Sequence, residues 1–241
     1  MILLPVLLSL TAILLPSCGD SKSVTFNSLS TKLKNIQHEI VNKHNALRSQ
    51  ASPTANNMLK MEWSKEAQKT AQNWADKCTL EHSDRKLRTI GTTCGENLFM
   101  STAPLPWVNA VQAWHDEVTH FVYGKGSTSK EAVGHYTQVM WYASHKLGCA
   151  VAECPQASFK YYYVCHYCPG GNIQPKENFP YEIGTPCAKC PNSCSNNLCT
   201  NPCPQTDSFS NCPQLKKSFS CEHETVKKNC KASCQCTNKI Y

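Results

Sequence analysis

The fold is decided by two neighbouring stretches, GHYTQVMW at residues 134–141 and KYYYVCHY at residues 160–167. Both are rich in aromatic and β-branched residues, which favour a pleated, half-buried surface. We therefore predict three strands, over His135–Trp141, Leu147–Glu153 and Lys160–Tyr167. Short polar loops separate them, so the sheet is expected to be mainly antiparallel.

Helical periodicity precedes these strands. Apolar residues recur with the spacing of one helix face around residues 36–47. A second helix is capped by Ser64 and ends near Cys78, and a third runs from Pro106 to about Val118. Helices followed by strands indicate an α+β domain of packed layers.

The start of the chain has the pattern of a targeting segment. Residues 2–15 are almost unbroken aliphatic. A membrane span needs roughly 20 apolar residues, whereas a shorter run at this position is typical of a signal-peptide core. Ser17 and Gly19 offer a cleavage site before Asp20. We predict that residues 1–19 are a removed signal peptide, and no later stretch of the sequence is apolar enough to cross a bilayer.

Cysteine usage indicates an oxidising compartment and two regions. The chain has 17 Cys, and loss of Cys18 with the leader leaves an even 16, as a disulfide framework requires. Residues 20–184 hold six Cys and all five Trp, whereas residues 187–241 hold ten Cys and few large apolar groups. A segment so poor in core residues needs covalent staples. The Pro- and Gly-rich stretch 175–186 is predicted to be a linker, so residues 187–241 are expected to fold alone.

The formal net charge is +7, and the basic residues are scattered. This balance permits attraction to acidic cell surfaces or channel mouths but is not a nucleic-acid signature. Peripheral association with a membrane is compatible with it.

Four strings carry a resemblance to a known family: residues 134–141, residues 162–173, VNKHN at 41–45 and CGENL at 94–98. They are similar to the superfamily of cysteine-rich secretory proteins, antigen 5 and pathogenesis-related proteins. The ten-cysteine tail resembles the cysteine-rich secretory proteins specifically, of the mammalian reproductive-tract type.

The resemblance implies an architecture in three parts. An α–β–α sandwich would occupy residues 20–184, a disulfide hinge residues 187–199, and a helical cysteine-rich domain, similar to ion-channel regulators, residues 203–236. The implied disulfides are Cys78–Cys154, Cys94–Cys168, Cys149–Cys165, Cys187–Cys194, Cys190–Cys199, Cys203–Cys236, Cys212–Cys230 and Cys221–Cys234. The CxxC spacings at 165–168 and 187–190 also fit a zinc ribbon, but thiols oxidise in the secretory pathway.

The resemblance further implies a cleft with two His and two Glu. His82 and His135 would bind a divalent metal such as Zn²⁺ weakly, and Glu96 and Glu117 would hydrogen-bond the imidazoles or an ion-bound water. The alternative is a purely structural polar cluster. No cofactor is required, no HExxH string exists, and no catalytic residue is expected.

The function implied is a secreted, non-enzymatic regulator that binds cell-surface proteins or ion channels, on sperm or egg. Its setting would be sperm maturation, capacitation or fertilization, with storage in secretory vesicles or the acrosome. Residues 187–241 carry seven Lys against three acidic residues, and Lys216 and Lys217 lie near Phe219. A metal-dependent hydrolase and a sterol or lipid carrier remain as alternatives.

Overall fold

A computed structural model describes residues 24–241, so the predicted signal peptide and Cys18 lie outside the described residues. Its helices and strands are α1 Lys34–Ser49, β1 Glu62–Trp63, α2 Lys65–Ala75, β2 Gly95–Ser101, α3 Trp107–Asp116, β3 Phe121–Val122, β4 Gly126–Ser127, α4 Gly134–Val139, β5 Lys146–Glu153, β6 Tyr161–Cys168, β7 Cys194–Ser195, β8 Leu198–Cys199, α5 Cys212–Phe219, α6 Glu224–Asn229 and α7 Lys231–Gln235. Across these residues, every helix is too short or too polar to cross a membrane.

The first region, residues 24–184, is built around a four-stranded sheet with the strand order β1-β5-β6-β2. The β2–β6 and β5–β6 pairs are antiparallel, and β1 joins β5 in parallel. Helix α2 packs against β5 and β6, whereas α1, α3 and α4 pack together in a second layer. The predicted α–β–α sandwich is therefore confirmed, with a core on each face of the sheet.

Helix α2 lies unusually close to the sheet because small residues line its inner face. Its cap is the one predicted, with the Ala67 amide donating to the Ser64 hydroxyl over 3.2 Å. Ala67 and the two alanines that follow it at helical spacing are fully buried. On the facing strand, a Cβ added to Gly148 would lie 2.0 Å from the backbone nitrogen of Gln68. Only glycine permits this approach.

One strand prediction is wrong. Residues 134–139 form helix α4, although we predicted a strand over His135–Trp141. Tyr136, Val139 and Met140 all enter the core, at a spacing of three and four residues. The run is buried on nearly all sides, so it lacks the polar alternation that distinguishes a strand from a short buried helix.

A buried arginine organises the loop after α4. Arg48 of α1 is almost completely buried, and its guanidinium donates to backbone carbonyl oxygens of Leu59, Val139, Trp141, Tyr142 and Ser144. Burial lowers the pKa of Arg48 to about 9. Buried carbonyl groups need hydrogen-bond partners, and those of Trp141 and Tyr142 accept a backbone amide as well as Arg48. The Arg48 bonds fix the chain between α4 and β5.

Residues 24–241 contain eight disulfides, and they are the pairs that the resemblance implied: Cys78–Cys154, Cys94–Cys168, Cys149–Cys165, Cys187–Cys194, Cys190–Cys199, Cys203–Cys236, Cys212–Cys230 and Cys221–Cys234. Cys149 and Cys165 lie directly opposite each other in the β5–β6 register. Neither CxxC pair is bonded within itself.

The stretch predicted to be a linker packs on the first region. Tyr181 is only 2% exposed, and the Tyr142 amide donates to the Pro180 carbonyl over 2.8 Å. The hinge is joined as well, since the Cys199 amide donates to the Met58 carbonyl over 2.7 Å and the Lys60 amide to the Cys199 carbonyl over 2.8 Å. The structural boundary therefore falls after residue 199.

The remaining tail is a small three-helix unit. Cys212, Val226 and Cys230 form its buried centre, and Leu215 packs against them. Close to the chain end, Ile240 packs with Leu59 and the hinge cysteines. A core of this size depends on its disulfides.

Candidate functional site

Strand β2 positions the acidic side of the candidate site. It is an edge strand of the sheet, and Glu96 lies directly opposite His166 of β6. The neighbouring Asn97 lies opposite Cys165, and because successive side chains alternate between faces, Glu96 and Asn97 serve different sides of the sheet.

Glu96 is the centre of a dense network. Its carboxylate accepts hydrogen bonds from His82 Nδ1 at 2.7 Å, the Ser83 amide at 2.8 Å, the Ser83 hydroxyl at 2.7 Å and His166 Nε2 at 2.9 Å. Arg88 adds an ion pair at 3.5 Å. The Glu96 side chain is 1% exposed. Each of its two carboxylate oxygens accepts two of these hydrogen bonds.

These contacts set the protonation states. Burial alone would raise the pKa of Glu96, but the hydrogen bonds from His166, His82 and Ser83 outweigh it and hold that pKa well below its usual range. Burial lowers the pKa of His166, against the attraction of Glu96. His166 is therefore neutral beside the ionised Glu96, and its Nδ1 lies 2.8 Å from the Thr70 hydroxyl.

A second His–Glu pair forms at the start of α4. His135 Nδ1 lies 2.6 Å from Glu117 Oε1, and Glu117 Oε2 accepts from the amides of His135 and Tyr136 at 2.9 and 3.0 Å. Glu117 thus caps the first turn of α4 and orients the imidazole at the same time.

The two pairs share one arrangement. Each imidazole gives its Nδ1 to a carboxylate, which leaves Nε2 as the nitrogen available for another ligand. The carboxylate–histidine–metal arrangement of metal sites uses this same orientation. His82 is well exposed, with 58% of its side chain accessible, and His135 is 33% accessible.

A hydrogen-bonded chain ties the second pair to the core. Asn97 donates to the His135 carbonyl at 3.1 Å and to the Tyr167 hydroxyl at 3.3 Å, and Tyr167 lies 2.9 Å from His44 Nε2. His44 Nδ1 donates to the Ile40 carbonyl at 2.8 Å, so its Nε2 is the acceptor. His44 is a buried structural residue.

Cysteine sulfurs make no metal centre in the described part of the chain. Cys187, Cys190 and Cys199 are the one group of three potential ligands found close together there. Their sulfurs belong to the Cys187–Cys194 and Cys190–Cys199 disulfides, so they are not thiolate ligands.

Sequence reasoning missed His166, which shares Glu96 with His82. The signal available was a polar residue inside an otherwise apolar strand, because a histidine buried there must find a partner. Nothing in the sequence placed that partner 70 residues away on β2.

Comparisons with known proteins identify the family. The model of the "Cysteine-rich secretory protein family" matches residues 41–167, and the "Crisp" model matches residues 187–241. Cysteine-rich secretory protein 2 of Homo sapiens is 54% identical over 244 residues, and cysteine-rich secretory protein 3 of Equus caballus is 56% identical over 245 residues; both alignments cover 100% of each chain.

Among solved structures, NaASP2 with Zn²⁺ superimposes with a TM-score of 0.58 at 34% identity, covering 70% of this chain and 96% of that one. The match in fold agrees with the sandwich described above, and the two family models together reach both the first region and the cysteine-rich tail. The chain belongs to the cysteine-rich secretory protein family.

Proposed function

We propose that this protein is a secreted, non-enzymatic ligand of cell-surface proteins or ion channels. We further propose that it acts on sperm, in maturation, capacitation or sperm–egg interaction. Its family membership and the eight disulfides found within residues 24–241 support an extracellular ligand. The contact surface is the tail, residues 203–241.

The observation that carries the proposal is the exposure of Phe219 on the stapled tail. It lies at the end of α5, is 57% exposed, and follows the exposed Lys217 by two residues. An exposed aromatic anchor and an exposed cation on one short helix of a disulfide-stapled unit suit a receptor pocket or the mouth of a cation channel. Lys216 differs from Lys217, because its ammonium group donates to the Ser233 carbonyl at 2.6 Å.

The geometry argues against a hydrolase in which Glu96 or Glu117 is the general base. A general base needs a free lone pair within reach of the water or nucleophile that it activates. Glu96 is saturated by four hydrogen bonds and held ionised, and Glu117 is occupied by His135 and the start of α4. Ser83 donates its hydroxyl to Glu96 instead of to a histidine, so it is not an activated nucleophile.

Weak divalent metal binding is a second candidate function. It is supported by the two imidazoles whose Nδ1 atoms are held by carboxylates, leaving both Nε2 atoms available. Imidazole nitrogen suits Zn²⁺. When bound, the ion would be held by His82 and His135, with Glu96 and Glu117 orienting the rings. A related fold has been solved with Zn²⁺.

The ligand proposal is tested by binding of the fluorescently labelled full chain to live sperm, measured by flow cytometry. Wild type is expected to bind saturably, and unlabelled protein should compete. Phe219→Ala combined with Lys217→Gln should lose most of this binding. The matched control is Phe159→Ala with Lys130→Gln, which removes an exposed aromatic and an exposed lysine from the first region. Equal binding by both variants would contradict the proposal.

A further inference from the structure

A cleft of about 550 Å³ lies where the first region meets the tail. Four lysines line it: Lys146 at the start of β5, and Lys228, Lys231 and Lys239 from the tail. All four are exposed. We call these four residues and the space between them the basic cleft.

The charge of the basic cleft is poorly balanced. Among residues 24–241, the five ion pairs leave these four ammonium groups without a carboxylate within 4.0 Å. The lining contains a single carboxylate within the described residues, that of Glu62, whose Cα pairs with that of Lys146 in the β1–β5 register. The four ammonium groups repel one another, and because they line a concave site, the positive potential is concentrated there.

Neutral hydrogen-bonding side chains share the lining. Thr92 comes from the first region, and Gln205, Thr206 and Ser208 come from the tail. Hydroxyl and amide groups between lysines can donate to oxygens that the ammonium groups do not reach. Cations interleaved with neutral donors favour a ligand with many anionic oxygens.

We propose that the basic cleft binds a linear sulfated polysaccharide. The four lysines are exposed point charges, so each contributes little alone, and a ligand must engage several at once. A chain of sulfate esters does so and releases counterions, as any linear polyanion does. A bilayer surface is flat over this distance and does not follow a concave site between two regions. The proposal does not depend on the ligand function argued above.

The test uses heparin as the probe and the full chain throughout, with affinity measured by calorimetry at several salt concentrations. Substituting Lys146, Lys228, Lys231 and Lys239 together by Gln should weaken binding by roughly tenfold or more and flatten its salt dependence. The matched control converts Lys65, Lys69, Lys125 and Lys130 to Gln. It removes the same charge from exposed positions outside the cleft, and it should bind heparin nearly as wild type does.

Two further variants separate the effect of charge from that of stability and test where the ligand lies. Substituting the four cleft lysines by Arg keeps the charge, so it should retain binding even where the Gln variant is less stable. Glu62→Gln removes the one carboxylate of the lining and should tighten binding. Hyaluronan, which lacks sulfate, should bind much more weakly than heparin.

Equal weakening in both quadruple Gln variants would overturn the proposal, because it would mean that only net charge matters. Binding of phosphatidylserine vesicles through the same four lysines, as tightly as heparin, would overturn it in favour of a membrane surface. Weaker binding by Glu62→Gln would contradict the placement of the ligand in the cleft.

Discussion

Glu96 of β2 and His166 of β6 face each other across the antiparallel register, with 2.9 Å between Glu96 Oε2 and His166 Nε2 and both side chains buried. Because His166 fixes the Glu96 carboxylate, the exposed imidazole of His82 is held by a rigid hydrogen-bond acceptor. The Glu96 carboxylate therefore orients its neighbours and is not available as a general base.

We predict that Glu96→Gln destabilises the first region by about 2–3 kcal/mol, because bonds to a buried charged acceptor are the strong ones. The substitution keeps the size of the side chain but removes the charge that Arg88, His82 and His166 share. Urea unfolding monitored by tryptophan fluorescence measures the change. Glu131→Gln, at an exposed position, is the control and should be nearly neutral. If Glu96→Gln left the free energy of unfolding unchanged, the charged network around Glu96 would contribute nothing to stability.

We predict that the protein loses stability on acidification from neutral pH. Burial lowers the pKa of His44 from its ordinary 6.5 to about 4. Below pH 6.5 His44 therefore binds a proton in the unfolded chain but not in the folded chain. The free energy of unfolding falls until the pH reaches the pKa of His44 in the folded protein. The full shift corresponds to about 3 kcal/mol. The lowered pKa values of His166 and Glu96 act in the same direction.

The variant His44→Gln isolates this contribution. It should be less stable than wild type at neutral pH, yet lose less stability between pH 6.5 and pH 4. The control is His38→Gln on the exposed side of α1, which should keep the wild-type slope. Chemical unfolding at a series of pH values gives the slopes. Identical slopes for wild type and His44→Gln would rule out His44 as the titrating group.

Local pattern predicted much of the fold, because capping and strand propensity act over a few residues. Ser64 capped α2 as expected, β6 lies where its aromatic and β-branched residues placed it, and β5 begins one residue before the predicted strand. The run at 134–139 failed because a short helix buried on all sides carries no periodic polar face.

The candidate site was predictable only through the family resemblance. His82 lies in the segment between α2 and β2, and its contact with Glu96 of β2 follows from no local pattern. Glu96 meets His166 because β2 pairs with β6, a register that no local pattern encodes. His166 was missed for the same reason. The sequence also did not predict that residues 175–186 pack on the first region, because ordered surface segments and linkers can both be rich in Pro and Gly.

We predict that Zn²⁺ binding, measured by calorimetry, requires His82 and His135 together. Coordination needs unprotonated imidazole, so affinity should fall as the solution is acidified. The double Ala variant should lose the binding heat. The double Ala variant of His38 and His120, two histidines outside the His–Glu pairs, is the control. Unchanged Zn²⁺ affinity in the first variant would place the ligands elsewhere.

We predict that the tail unfolds separately from the hinge. Cys212→Ser with Cys230→Ser removes a bridge from the centre of the tail, which typically costs about 2–5 kcal/mol, comparable to the stability of so small a unit. Amides of α5 and α6 should then exchange quickly. The amides of Lys60 and Cys199 should stay protected, because their bonds join Cys199 of the hinge to Lys60 and Met58 of the first region. Simultaneous loss of both sets would contradict a boundary after residue 199.

The exposed Phe219 and Lys217 of the tail are proposed to carry the activity. Whole-cell recording from sperm perfused with the purified full chain is the decisive experiment. Wild type is expected to change the recorded current. Phe219→Ala with Lys217→Gln should be at least about tenfold less potent, as loss of a binding hot spot implies, and Phe159→Ala with Lys130→Gln should match wild type. A Phe219 and Lys217 variant as potent as wild type, with its disulfides and fold intact, would show that these two side chains do not carry the activity.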